Sequence, residues 1–330
     1  MGAPGSPYTR KMLALLRYRR IPYQLILGAT DGLPRPKVAL LPTFYLPNAA
    51  GQIEAVVDST PLIRRFEREY PDRAVVPTDP VGAFIDYLLE DYADEWLTKA
   101  MFHYRWHYQA DIDKAGEVLP RWRGIAANEQ DIQNSKQFIQ ERQIGRLYVV
   151  GSNATTAPVI EASYVRFLDL FKTLLEQQPF IAGRRPGAAD FGVYAQLTQL
   201  AKFDPTPAAL TLARAPRVYA WVDIMDDLSG LEVTEDGFAA ATELRTRLGP
   251  LLGEVGRVYA PFLLANARAL AKGLPEFETT IDGKPWVQPT FPYQGKCLAW
   301  LRAEWQTLAP GARRDVGAIV EGTGIDALFA

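Results

Sequence analysis

The sequence predicts a small α/β unit followed by a much longer all-α one. Three observations carry that expectation. Helical spacing alternates with short apolar runs in the first stretch, prolines at 71, 77 and 80 close it, and helical spacing persists from Gly82 onward. At 330 residues with 48% apolar content, the chain can bury a sizeable core and is too long for one ordinary domain.

Arg10 to Arg20 places Met12, Leu13, Leu15 and Leu16 on one helical face, and Arg17, Arg19 and Arg20 gather where a helix dipole favours cations. Ile21-Pro22 breaks that helix, and Tyr23 to Leu27 reads as a short strand. Leu40 to Leu46 and Ile53 to Val57, joined by the turn-rich Pro47-Asn48-Ala49-Ala50-Gly51-Gln52, read as a β-hairpin. Asp58-Ser59-Thr60-Pro61 then has a cap residue and a first-turn proline, opening a second helix. Beyond the proline-rich linker, helices are expected from Gly82 to about Tyr108, Gln130 to Gln143, Pro158 to Gln178, Ala188 to Lys202, and Pro216 to Leu228. A final piece carries helices near Phe238 to Leu248, Gly256 to Lys272 and Gln294 to Leu308, with a small hairpin from Phe277 to Val287 turning at Asp282-Gly283. The units are therefore 1–76, 77–231, and an extension over 232–330.

Charge and composition exclude several classes. With 36 basic and 38 acidic residues there is no basic stripe for nucleic acid and no polybasic membrane anchor. No apolar run approaches the ~20 residues of a membrane span, and no charged leader precedes an apolar signal core. A lone cysteine, Cys297, forms no internal disulfide, and two histidines add little toward a zinc site; the cytoplasm is the expected compartment and no metal is expected. Cys297 reads as a buried thiol, since no upstream glycine stands at phosphate-loop spacing before Lys296. No nucleophile-elbow or dinucleotide glycine fingerprint occurs either.

Three features of the first unit converge on one kind of ligand. Ser6-Pro7-Tyr8-Thr9-Arg10 puts hydroxyls at a helix N-terminus, where free N–H groups and the dipole favour an anion such as a thiolate. Leu41-Pro42 stands at the start of a strand, where a cis bond would turn the neighbouring backbone toward a ligand. Asp58-Ser59 offers amide donors to a carboxylate and a fixed carboxylate to an amine. A small zwitterionic thiol peptide suits all three.

In these motifs the sequence resembles the cytosolic glutathione transferases. The resemblance aligns Ser6-Pro7-Tyr8 with the family's catalytic loop, Leu41-Pro42 with its cis-proline, and Asp58-Ser59 with the acidic-Ser pair opening a helix. Pro179 through Phe191 is similar to the family's capping motif, with Gly187 at the cap position that usually holds Ser or Thr and Asp190 three residues on. It covers roughly residues 1 to 230, and the aromatic stretch from Asp91 to Trp106 with the extension looks like an uncommon bacterial branch. The implied fold is a thioredoxin-like α/β N-terminal domain, an all-α helical-bundle domain and a mostly helical extension packed on it. The implied activity is conjugation of the glutathione thiolate to a small hydrophobic electrophile. Glutathione is the co-substrate, Ser6 holds the thiolate with Tyr8 and Thr9 as rival hydroxyls, and Leu41, Pro42, Asp58 and Ser59 bind glutathione. Tyr104, Trp106 and Tyr108 fall where the family's co-substrate pocket lies, and a homodimer is the usual assembly. The alternative is a non-catalytic binding or scaffolding module of the same fold.

Each feature has a plainer reading. Ser6 is also an ordinary N-cap, Tyr8 an interface aromatic, Pro42 a trans edge-strand proline, and Asp58-Ser59 a cap compatible with ligand binding. His103 and His107 share a helix face but lie among aromatics, which favours packing over a metal. Glu90, Asp91, Asp94 and Glu95 read as a solvated helix face, with a general acid–base pair as the alternative. One element is short: Met1 to Gly5 are too few for the interior strand that precedes the catalytic loop in the family. The expectation is a native start upstream of Met1, or a gap filled by the Phe277 to Val287 hairpin.

Overall fold

The computed structural model describes residues 1–234 and 237–330, so residues 235 and 236 of the expected extension lie outside the described residues. Helix α1 (Pro7–Tyr18) starts where Ser6 accepts from the Thr9 amide and Pro7 fills the first turn, and it buries Met12, Leu15 and Leu16. The hairpin follows as β1 (Phe44–Pro47) and β2 (Ile53–Val56), antiparallel with Phe44 opposite Val56 and Pro47 opposite Ile53. Its first strand begins at Phe44 rather than Leu40. Pro42 has no N–H to offer a ladder, and the Thr43 amide donates to the Met1 carbonyl at 2.9 Å. Helix α2 (Ser59–Glu69) turns Leu62, Ile63 and Phe66 inward.

Tyr23–Leu27 joins no sheet, which corrects the strand expected there. A strand needs a partner for its edge, and the neighbouring position is held by two residues. The Met1 ammonium donates to Thr43 O at 2.6 Å, and the Gly2 amide donates to Ile26 O at 3.0 Å. Past that bridge a cavity of about 600 Å³ separates Tyr23–Ile26 from Phe44–Leu46, over Met12, Leu16 and Phe66. The Phe277 hairpin does not fill it. That hairpin, β3 (Glu276–Ile281) and β4 (Lys284–Pro289), turns at Asp282 and Gly283, both left-handed at φ 52 and 70, as a two-residue turn requires. It packs instead on the extension's own α12 (Ala260–Ala271), with Trp286 5.4 Å from the Trp96 ring.

The helical part begins with one rod: α3 (Pro80–Tyr92) passes through a π-helical turn, Ala93–Leu97, into α4 (Thr98–His107). Helices α5 (Gln109–Arg121), α6 (Glu129–Ile144), α7 (Ala157–Leu174), α8 (Ala188–Leu197), α9 (Pro205–Arg214) and α10 (Pro216–Asp226) follow. Every residue of α8 is buried, and it packs against α1 and α3. The extension adds α11 (Ala241–Glu254), α12, α13 (Pro292–Thr307) and α14 (Pro310–Val320); α11 lies on α7, and both α13 and α14 lie on α3. Helices α5, α9 and α14 are additions to the sequence reading. Prolines at 205, 207 and 310 look like breakers but open their helices, where no amide partner is needed.

The start of α8 shows how a missing cap hydroxyl is replaced. Asp190 accepts from the amides of Gly187 at 2.9 Å and Ile181 at 2.7 Å. Asp86, reaching in from α3, accepts from Ala188 and Ala189, each at 3.1 Å. A Cβ on residue 187 would stand 2.3 Å from Asp86 Oδ1, so glycine at the cap and aspartate at 86 are one solution. We expect Asp86→Ala to destabilise the protein by about 2–4 kcal/mol, because two backbone amides at a buried helix start lose their acceptor. Gly187→Ser alone should also destabilise, and Asp86→Ala with Gly187→Ser should regain part of the loss. Urea denaturation measures all three, and a double variant no better than its worse parent would contradict the shared-cap account.

Candidate functional site

The Ser6 loop is held from both sides. Ser6 Oγ accepts from Thr9 N at 3.3 Å and donates to the Leu41 carbonyl at 3.4 Å, so α1 and the residue before Pro42 meet. The Leu41-Pro42 peptide is cis. From the helical half, Arg105 Nη1 donates to the Gly5 carbonyl at 3.0 Å and Gln199 Nε2 to the Pro4 carbonyl at 3.3 Å. Arg105 is itself locked by Asp204 at 2.9 Å and Gln199 at 2.6 Å. No sequence motif pointed to Arg105, Gln199 or Asp204.

Of the three hydroxyls in the loop, Ser6 is half-buried and loosely held. Thr9 is buried, and its Oγ1 accepts from the Ala3 amide at 3.3 Å. Tyr8 donates to the Asp94 carbonyl at 2.8 Å, and burial, with Glu95 and Asp94 nearby, raises its pKa well above the ordinary phenol value. Tyr8 is thus committed to the helical half as a protonated donor.

Asp58 takes a left-handed backbone, φ 81, before α2, and its side chain caps no amide of that helix. Instead Asp58 Oδ2 accepts from the Tyr293 hydroxyl at 3.0 Å. Ser59 Oγ accepts from Lys11 Nζ at 3.1 Å, and the same ammonium meets Glu90 at 2.7 Å and Asp94 at 2.5 Å. The first turn of α2 leaves backbone amides without intrahelical partners, which is where a carboxylate can dock. A cavity of about 240 Å³ opens beside Leu41, lined also by Arg35 and Arg123.

The acidic quartet is buried, which corrects its reading as a solvated face. Glu90, Asp91, Asp94 and Glu95 are all under a tenth exposed, because the rod carrying them lies between α1 and the extension. Burial raises Asp91 to about 7, with Asp94 and Glu90 adding to it against the Tyr259 hydroxyl. Burial and Asp91 raise Glu95 to about 8, and burial raises Asp94 to about 6 against the pull of Lys11. Lys11 stays charged: burial opposes its charge, but Asp94 and Glu90 outweigh burial and lift its pKa above the ordinary lysine value.

Other sequence candidates pack elsewhere. Tyr104 and Trp106 are buried in two separate apolar clusters, and Tyr108 stacks on Tyr104 at 5.6 Å and donates to Glu161 at 2.6 Å. They do not line either cavity described above. His103 lies between Ser152 at 2.8 Å and Glu161 at 3.1 Å and stacks on His107 at 4.6 Å. Among the described residues no group of three or more His, Cys, Asp or Glu side chains is arranged to hold a metal, and no helix is long and apolar enough to cross a membrane. Cys297 is buried, and that burial with Asp91 and Glu95 pushes its thiol pKa far up.

Three of these carboxyls, Asp91, Asp94 and Glu95, make stability depend on pH. Glu95 binds its proton more tightly folded, near 8, than at its ordinary 4.5, so its contribution is full below about pH 4.5 and is lost as pH rises through about 8. Asp91 and Asp94 act in the same sense. Lys99, which burial lowers to about 7, acts oppositely above that pH. The melting temperature should therefore fall between about pH 5 and 7, and Glu95→Gln should flatten that slope. A slope unchanged in Glu95→Gln would remove Glu95 from this account.

Comparison with known families places this geometry. Residues 1–74 match the family Glutathione S-transferase, N-terminal domain, and residues 137–223 match Glutathione S-transferase, C-terminal domain. Among curated proteins, none matches the chain. With both domains present in that order, the chain belongs to the glutathione transferase superfamily.

Proposed function

We propose that the protein conjugates glutathione, through its sulfur, to a small hydrophobic electrophile. The observation that carries this reading is the meeting of Ser6 Oγ with the Leu41 carbonyl at 3.4 Å, beside the start of α1. In the proposed complex the backbone at Leu41, next to Pro42, pairs with the cysteinyl part of glutathione. The amides opening α2 take the γ-glutamyl carboxylate, with Asp58 on the ammonium and Ser59 beside it. Arg35 and Arg123, lining the cavity next to Leu41, supply positive charge for the glycyl carboxylate.

The chemistry follows from that placement. Glutathione's thiol loses its proton to solvent, and the Ser6 hydroxyl turns from the Leu41 carbonyl to donate to the sulfur. The α1 N-terminus adds its dipole, so the thiol pKa falls toward working pH. The thiolate forms a carbon–sulfur bond with the electrophile, whose leaving group departs with its electron pair. Serine cannot form a mixed disulfide, so thiol exchange is not part of the scheme. The domain limits 1–76, 77–231 and 232–330, a cytoplasmic detoxifying role, and Tyr108, the one of the three aromatic pocket candidates that is not fully buried, near the electrophile belong to the same proposal.

Ser6→Ala should lower the conjugation rate by about 10- to 100-fold, the worth of one hydrogen bond to a charged sulfur, and should reduce the thiolate absorbance of bound glutathione. Unchanged values would take Ser6 out of the mechanism. A second reading, a binding module without catalysis, is favoured by the engagement of Asp58 and Ser59 with the protein's own Tyr293 and Lys11. Glutathione binding without turnover across a panel of electrophiles would select it. A homodimer, the family's usual assembly, should scatter light at twice the 36.8 kDa chain mass; the monomer mass would reject it.

A further inference from the structure

The extension reaches the corner where Asp58 stands, and it does so through a fixed backbone. Asn266, fully buried, clamps Phe291 from both sides: it accepts from the Phe291 amide at 2.9 Å and donates to the Phe291 carbonyl at 3.0 Å. Two residues on, Tyr293 lies in the first turn of α13. Gln294 donates to buried Glu95 at 3.1 Å, and Arg64 of α2 pairs with Glu304 farther along α13. The Tyr293 ring packs edge-on against Trp300 at 6.0 Å. With its backbone held on α12, α3 and α2, this tyrosine aims its hydroxyl at Asp58 Oδ2, 3.0 Å away.

Asp58 itself is poised for an outside donor. Its backbone is left-handed and its side chain caps no helix amide, so the carboxylate is turned away from its own element. We propose that Tyr293 sets the affinity of this site: its hydroxyl satisfies Asp58 in the free protein and must be displaced by the ammonium group of a γ-glutamyl thiol. This rests on the reading of Asp58-Ser59 as the γ-glutamyl corner. Both bonds have a carboxylate acceptor, but the ammonium adds a full positive charge that the neutral phenol lacks, so the ligand wins the exchange, and its net gain is reduced by the bond it breaks. The extension thereby weakens glutathione binding without touching the reacting sulfur, and it narrows the advantage of an amine-bearing thiol over one that lacks the amine.

Titration calorimetry with glutathione on the full chain tests this. Tyr293→Phe keeps the ring against Trp300 and removes only the competing hydroxyl, and it should tighten the dissociation constant by about tenfold. Tyr293→Leu, with folding checked by its melting temperature, should shift it in the same direction. If wild type binds glutathione and both variants bind equally or more weakly, Tyr293 does not compete and the proposal is overturned, while the reading of the corner stands. If neither wild type nor Tyr293→Phe binds millimolar glutathione, the corner is misassigned and the proposal falls with it.

Discussion

The arrangement turns on one buried ammonium. Lys11 has no exposed surface, and it joins three elements that would otherwise share only apolar contact: α1 through its own backbone, α2 through Ser59, and the α3–α4 rod through Glu90 and Asp94. A charge taken out of water is tolerated only with close partners on every side. The constraint acts in both directions, since two carboxylates in the same apolar surroundings need the cation equally. It fixes the distance between the first helix, which carries Ser6, and the second helix start, which carries Asp58. The geometry of the candidate site is therefore set by the interface between the two halves as much as by the sheet.

A second tie complements it on the other flank of the loop. Arg105 and Gln199 hold the carbonyls of Gly5 and Pro4, and both side chains come from the helical half. The few residues before Ser6 are thus positioned by long-range donors, in place of a full strand. Met1 and Gly2 give only a narrow bridge between Ile26 and Thr43.

What was legible in the sequence was local. Ser6-Pro7, Asp58-Ser59 and the 187–190 segment are contiguous patterns that mark helix starts within one turn, and the Asp282-Gly283 hairpin turn is equally local. Lys11, Asp86, Arg105 and Tyr293 were not legible as site-builders, because their partners lie tens to hundreds of residues away. A signal did exist: Asp86 sits among Phe84, Ile85, Leu88 and Leu89, and a charge embedded in an apolar run points to a buried partner more than to solvent. The acidic quartet was misjudged for the same reason, since its neighbours Leu88, Leu89, Tyr92 and Trp96 left no polar face for it to share. The Tyr23–Leu27 segment failed differently. Its composition suits a strand, but composition does not supply a neighbour to pair with.

The π-helical turn at Ala93–Leu97 gives the rod a property that neither half has alone. A wider turn holds one more residue than an α-helical one, so everything downstream is rotated by about 100° relative to a continuous α-helix. The upstream half directs its inward side chains toward α8 and the extension, and the downstream half directs its own toward α5, α6 and α7. Similar turns at Thr198–Phe203 and Val255–Tyr259 lie at the ends of α8 and α11. A single-residue deletion within Ala93–Leu97 or Val255–Tyr259, the two turns that run on into a further helix, would let the turn close as an ordinary α-helical one with the far half still facing its neighbours, whereas a deletion elsewhere in either rod would turn that half away from them. These two joints are thus the places along the rods where the count of residues can change by one while the flanking faces stay in register.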